Sequence, residues 1–271
     1  VSDAPLCLVL VNLTDPSVSP LASQLTAGFL GRAAQAFQIQ LQQHIAPWWP
    51  YATGATARVA SSPTDVGAGE TPMFLRVSLS EPDAIADHYT LTPSGQPAEE
   101  LGVDTCQTPE DVTSANSHEN AEVAGDPETD QMVVVPPGIA LPKGLSAGMR
   151  IARETCDPLQ DRVYPLDLKD GLPPIMLADF VSQAYFDPSL SGPTSWGEAQ
   201  GLFPRLAPFD RTPGGYQIAD NGPGSSESQL FGVIPWWKLE RARLGKGRWP
   251  KLGIKVHASG RHLGHGAMVV R

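Results

Sequence analysis

Leu6-Cys7-Leu8-Val9-Leu10-Val11 is a short apolar run that Asn12 to Pro20 closes with turn-forming residues, a pattern that predicts a buried strand. From Leu21 to Ile45 the period changes. Leu21, Leu25, Phe29, Leu30, Ala33, Ala34, Phe37, Leu41 and Ile45 recur at three- and four-residue steps, which predicts one amphipathic helix that Pro47 and Pro50 end. Thr56 to Ala60 and Met73 to Leu79 read as two further strands joined by a Pro/Gly-rich segment. Strand, long helix, strand, strand describes an open α/β layer with the N-terminal helix covering one face.

Beyond residue 80 the pattern thins. Asp83 to Asp111 reads as polar loop and Val112 to about Ala124 as a second helix, with Thr113 or Ser114 as its start signal. Residues 128–149 read as a Pro/Gly-rich loop, flexible or partner-facing. Arg150 to Asp157, Val163 to Leu168 and Ala178 to Ala184 each fit a strand or a turn of helix, and Asp187 to Ser228 is dominated by Gly, Pro, Ser and polar residues. No internal repeat is present.

Composition adds class and setting. The 26 Gly and 27 Pro among 271 residues, with 41% hydrophobic and 18% charged, describe a globular, loop-rich chain able to bury a core without disulfide help. Cys7, Cys106 and Cys156 form no disulfide framework, which fits a reducing cytoplasm. No stretch reaches the roughly 18–20 apolar residues of a membrane span, and the first apolar run lacks the flanks of a secretion signal. The net charge of −10 is unevenly spread: from Trp236 to Arg271 nine basic residues face Glu240 alone, a balance of +8 that leaves −18 before it. We therefore read residues 1–235 as one domain and 236–271 as a basic extension that docks on an acidic surface, its own or a partner's. The overall acidity, and the irregular placement of Trp236, Trp237 and Trp249, argue against nucleic acid as that partner.

One segment carries candidate chemistry. His118, Glu119 and Glu122 lie in the second helix at the spacing of the H-E-x-x-H metallopeptidase motif, with Glu replacing the second His. Positions i and i+4 share a helix face, so His118 and Glu122 can hold one zinc ion at about 2.0–2.2 Å. Glu119 then borders the open position, where it can take a proton from an attacking water and return it to the leaving amine. A catalytic zinc needs a third protein ligand. Glu154 and Asp157 from a later segment, Asp126 at the helix end and Glu128 ten residues after His118 are the candidates. The polar helix composition puts these ligands on a surface-accessible face. Tyr164 and Tyr185 are phenols that could stabilise an oxyanion, although Tyr185 beside Phe186 reads equally as core.

The ordered run His88, Gly95-Gln96-Pro97, Ser117-His118-Glu119-x-x-Glu122-x-x-x-Asp126-Pro127, Glu154-Thr155-Cys156-Asp157-Pro158, Asp179-Phe180-Val181 and Tyr185-Phe186 resembles a family of phage- and prophage-associated proteins of unassigned role. They look like H-E-x-x-E metallopeptidases of the zincin class, and the resemblance spans roughly residues 6–220. It implies a zincin-like mixed sheet of the α/β (α+β) class, with a covering N-terminal helix, a motif-bearing active-site helix and a loop-rich C-terminal part. It also implies His118 and Glu122 as ligands, Glu119 as base, the Glu154 to Asp157 stretch close to them, and His88 beside the cleft. The expected function is that of a virion-associated zinc metallopeptidase-like protein of a bacteriophage, made in the host bacterial cytoplasm, with relaxed or lost catalysis. It would hold one zinc ion, act on a peptide if active, and meet other virion proteins or itself through the basic tail. The alternative is a non-enzymatic decoration, head or tail protein that reuses the scaffold.

Overall fold

A computed structural model describes residues 5–17, 19–79, 85–91, 96–222 and 225–232. The basic extension 236–271 lies outside the described residues. Within 1–235 the described chain gathers into two compact units. The first comprises the described residues up to Thr129 together with Val163–Ala178; the second comprises Asp130–Arg162 and the described residues from Asp179 onward.

The first unit is built on a mixed five-stranded sheet of β1 (Cys7–Asn12), β2 (Thr56–Ala60), β3 (Thr71–Arg76), β4 (Ala86–Leu91) and β5 (Gln96–Gly102), in the order β2-β1-β3-β5-β4. All neighbours run parallel except β4, which is antiparallel to β5 at the edge. The interior strand β1 is buried on both faces, hence its continuous apolar run. Val9 and Val11 pack with Ala60, Val66 and Phe74 on one side. On the opposite side the register aligns Val59, Leu10, Met73, Glu99 and His88 in one row across the five strands.

The helix expected over Leu21 to Ile45 is interrupted. A 3-10 turn at Ala22–Gln24 precedes α1 (Ala27–Ile39), because the Thr26 side chain accepts the Phe29 N–H and caps a new helix there. The last segment, Gln40–Ile45, is a π-helix. The second helix, α2 (Pro109–Gly125), begins at Thr108 and not at Thr113 or Ser114. Thr108 and Asp111 form a reciprocal capping box with Pro109 in the first turn, a stronger start signal than either later hydroxyl.

The polar loop expected from Asp83 to Asp111 instead holds β4, β5 and the first turn of α2. The positions that would mark these strands as half-buried are occupied by His88 and Glu99, so alternation of apolar residues is missing although both side chains are buried. The unit is completed by an antiparallel hairpin of β8 (Val163–Leu166) and β9 (Ile175–Ala178), whose last strand packs against α2.

In the second unit, β6 (Met132–Val134), β7 (Arg150–Ala152), β10 (Tyr216–Asp220) and β11 (Ser228–Phe231) form an antiparallel sheet in the order β11-β10-β7-β6. The segment 128–149 thus contains a strand inside the expected loop, and 187–228 contains β10. Ala152, Tyr216 and Ile218 pack with Met132 and Phe231, and Arg150 forks onto the Asp220 carboxylate. Among the described residues, no helix is long and apolar enough to cross a membrane.

Candidate metal centre

The motif lies in the C-terminal half of α2, and its surroundings differ from the accessible face expected. Every residue from Asn116 to Gly125 is buried. Contacts with β4 and β5, with β9 and with the π-helical segment surround the helix within its own unit. Ser117 fixes one side by accepting the Ala178 N–H at 2.7 Å. Gln40, from the π-helix, donates to the carbonyl of the same Ala178. The weak apolar patterning of α2 hides this burial, because polar side chains take the positions that a core helix normally gives to Leu or Ile.

His118 Nε2 stands 3.1 Å from Glu122 Oε1 across one helical turn. From the edge strand, His88 Nδ1 reaches Glu119 Oε2 at 3.1 Å and Glu122 Oε2 at 3.3 Å. Two imidazoles and two carboxylates therefore meet between α2 and β4, and donor atoms of His118, Glu119 and Glu122 lie within 4.8 Å of one another.

A third carboxylate belongs to the same corner. Glu99 on β5 opposes His88 directly, is buried, and neither of its carboxylate oxygens has a hydrogen-bond partner among the described residues. Burial, reinforced by the charge of Glu119, pushes the Glu99 carboxyl well above the usual carboxylate range, while His88 pulls it back. No Lys or Arg is among the charges acting on it. Nor does α2 carry a basic residue in its last turn, although Glu122 and the buried cap residue Asp126 sit where the helix dipole disfavours negative charge by about 0.3–1 kcal/mol each.

The arrangement fits a divalent cation. Donor atoms on one tetrahedral ion at about 2.0–2.2 Å stand roughly 3.3–3.6 Å apart, close to the separations between the imidazole and carboxylate atoms here. Buried carboxylates also need a compensating charge.

The other predicted residues lie on other segments of the chain. Asp126 caps α2 and its backbone N–H donates to the Glu122 carbonyl. Tyr164, on β8, makes a 2.8 Å hydrogen bond with His44 Nδ1, and burial lowers the pKa of that imidazole to about 4. Glu128 is exposed. Glu154 and Asp157 belong to the second unit, where both are buried near the end of β7 and in the 3-10 turn Asp157–Leu159. Tyr185 is there too, donating to the Asp210 carbonyl, accepting from Gln217 and packed against Phe186 and Phe209. Its phenol is a core group of that unit, the second of the two readings the sequence allowed.

Sequence reasoning missed Glu99 and Asn120. Asn120 is fully buried next to Glu119, with neither amide atom hydrogen-bonded among the described residues. A hairpin across 92–95 would have opposed His88 to Glu99 and was the available signal for the carboxylate. Comparison with family models, curated proteins and solved structures finds no match to this chain.

Proposed function

We propose that this chain is a cation-dependent protein of the zinc metallopeptidase kind, in which His118 and Glu122 hold the ion and Glu119 accepts a proton. The observation that carries this reading is the pairing of His118 Nε2 with Glu122 Oε1 at 3.1 Å on successive turns of a buried helix, with Glu119 in the same cluster. A mixed sheet with α2 packed beside its antiparallel edge strand supports a zincin-like reading of the fold. A zinc ion bound there would supply a Lewis acid that polarises a carbonyl and lowers the pKa of water toward about 7. His88 Nδ1 stands 3.1 Å from Glu119 Oε2, and Glu122 lies between the two imidazoles. The order of sequence motifs carries the setting: a virion-associated bacteriophage protein, made in the host cytoplasm and joined to other virion proteins through its basic tail.

Burial favours a second reading. His118 is 7% exposed, Glu119 2% and Glu122 0%, so an ion enclosed there suits a structural role in a non-enzymatic phage head, tail or decoration protein. Metal analysis separates these from a scaffold without an ion. The purified full chain should carry zinc, and His118→Ala should lose it while far-ultraviolet circular dichroism stays unchanged. Unchanged zinc in that variant would remove the site. Glu119→Gln should keep the ion and abolish peptide cleavage if the protein is an enzyme; a wild type that binds zinc but cleaves no peptide library selects the structural reading.

A further inference from the structure

Glu122 does not point both oxygens at one partner. Its Oε1 faces His118 Nε2 and its Oε2 faces His88 Nδ1, at 3.1 and 3.3 Å. A carboxylate placed between two imidazoles in this way has the geometry of a bridge between two ions. From it we infer a second divalent-cation position on the His88 side of Glu122, held by His88 Nδ1, Glu122 Oε2 and Glu119 Oε2, with Glu99 as its further carboxylate. The inference rests on the cation site proposed above and extends it to a pair.

Three observations support it. The donor separations around His88 Nδ1, 3.1 Å to Glu119 and 3.3 Å to Glu122, match those on the His118 side. Glu99 is 1% exposed, opposes His88 across the β4–β5 ladder, and has no hydrogen bond to either oxygen among the described residues. Acidic groups are also concentrated there: Glu99, Glu119 and Glu122 are all buried, and buried carboxylates call for positive charge nearby. Glu119 bound through Oε2 keeps its other oxygen as a proton acceptor. Mixed imidazole and carboxylate donors suit Zn²⁺, Mn²⁺ or Fe²⁺, and paired ions in such sites lie about 3.5–4 Å apart.

The test uses the full chain, stripped with a chelator and reloaded with Mn²⁺ alone. Two ions per chain and an exchange-coupled electron paramagnetic resonance spectrum are expected. His88→Asn should bind one ion and give the six-line spectrum of isolated Mn²⁺, Glu99→Gln should weaken the second ion at least tenfold, and Glu122→Gln should lose both. If His88→Asn does not fold, as judged by circular dichroism, Glu99→Gln decides, since it keeps the shape of the side chain. A wild type that binds a single ion, retained by the foldable variants at His88 or Glu99, overturns the second position and leaves the first. Failure to bind any ion overturns both.

Discussion

The two ends of one sheet face solve the same problem in opposite ways. At the β1–β3 end, Leu10 and Met73 are buried and need nothing but close packing. Two strands further along the same row stand Glu99 and His88, no less buried and packed toward α2. Apolar burial there would have contributed stability at about 25 cal/mol per Å². Instead the chain places ionisable groups where water is excluded, a choice that is destabilising unless a counter-charge is present. Burial is thus the same at both ends, while ionisable groups that call for a compensating charge stand at only one.

The largest expected effect comes from breaking the apolar end. Leu10→Ala should cost about 2–5 kcal/mol in urea unfolding, through lost transfer energy and a cavity beside Met73. The metal content of the folded fraction should not change. A loss of metal at equal folded fraction would show that the two ends are coupled through the sheet.

A smaller effect sharpens the comparison by taking a buried carboxylate that does have partners. Asp179, in the second unit, accepts the N–H groups of Phe180 and Gly197, yet burial still raises its pKa to about 6. Because the folded-state pKa lies above the unfolded value, stability from this group is full below about pH 4 and declines as pH rises through about 6. Asp179→Asn should remove that decline, raising stability above pH 6 by on the order of 2 kcal/mol and changing little at pH 4. A Tm difference that does not vary with pH would show that the carboxyl is not the titrating group.

The smallest effect concerns the helix start. Thr108→Ala removes the hydroxyl that accepts the Asp111 N–H and should cost about 1 kcal/mol. Metal affinity should stay within threefold, because the donors lie in the last two turns of the helix. A larger loss, measured by calorimetric titration, would mean that the whole of α2 sets the site.

What could be read from the sequence follows the same division. β1 and α1 were legible because their buried positions are apolar, in a continuous run in the strand and at steps of three to four in the helix. The His118, Glu119 and Glu122 spacing was legible because a helix converts i and i+4 directly into proximity. β4 and β5 were not, since the residues on their buried face are the site itself, and pattern reading takes an acid or an imidazole as a sign of solvent. The second unit was illegible for another reason. Its strands are short, and its connections rest on close backbone approach: a Cβ at Gly215 or Gly232 would collide with the carbonyl oxygen of Pro158 or Thr212. Such contacts leave glycines in the sequence but no periodicity.

The antiparallel edge hairpin also bears on time. β1 must find β2 and β3 across a separation that runs from Cys7 to Thr56 and from Leu8 to Thr71. His88, Glu99, His118, Glu119 and Glu122 all fall within one short stretch of chain, joined by a hairpin and the turn into α2. Loop-closure entropy grows with the length closed, so local pairings form sooner than distant ones. During synthesis the acidic corner emerges complete before Val163 to Ala178 exist to cover α2, so the proposed cation would reach its donors while the polypeptide is still being made. In pulse-labelled hydrogen exchange, addition of the ion at the start of refolding should protect the amides of β4, β5 and α2 ahead of those of β1, and addition after folding should be slow to register.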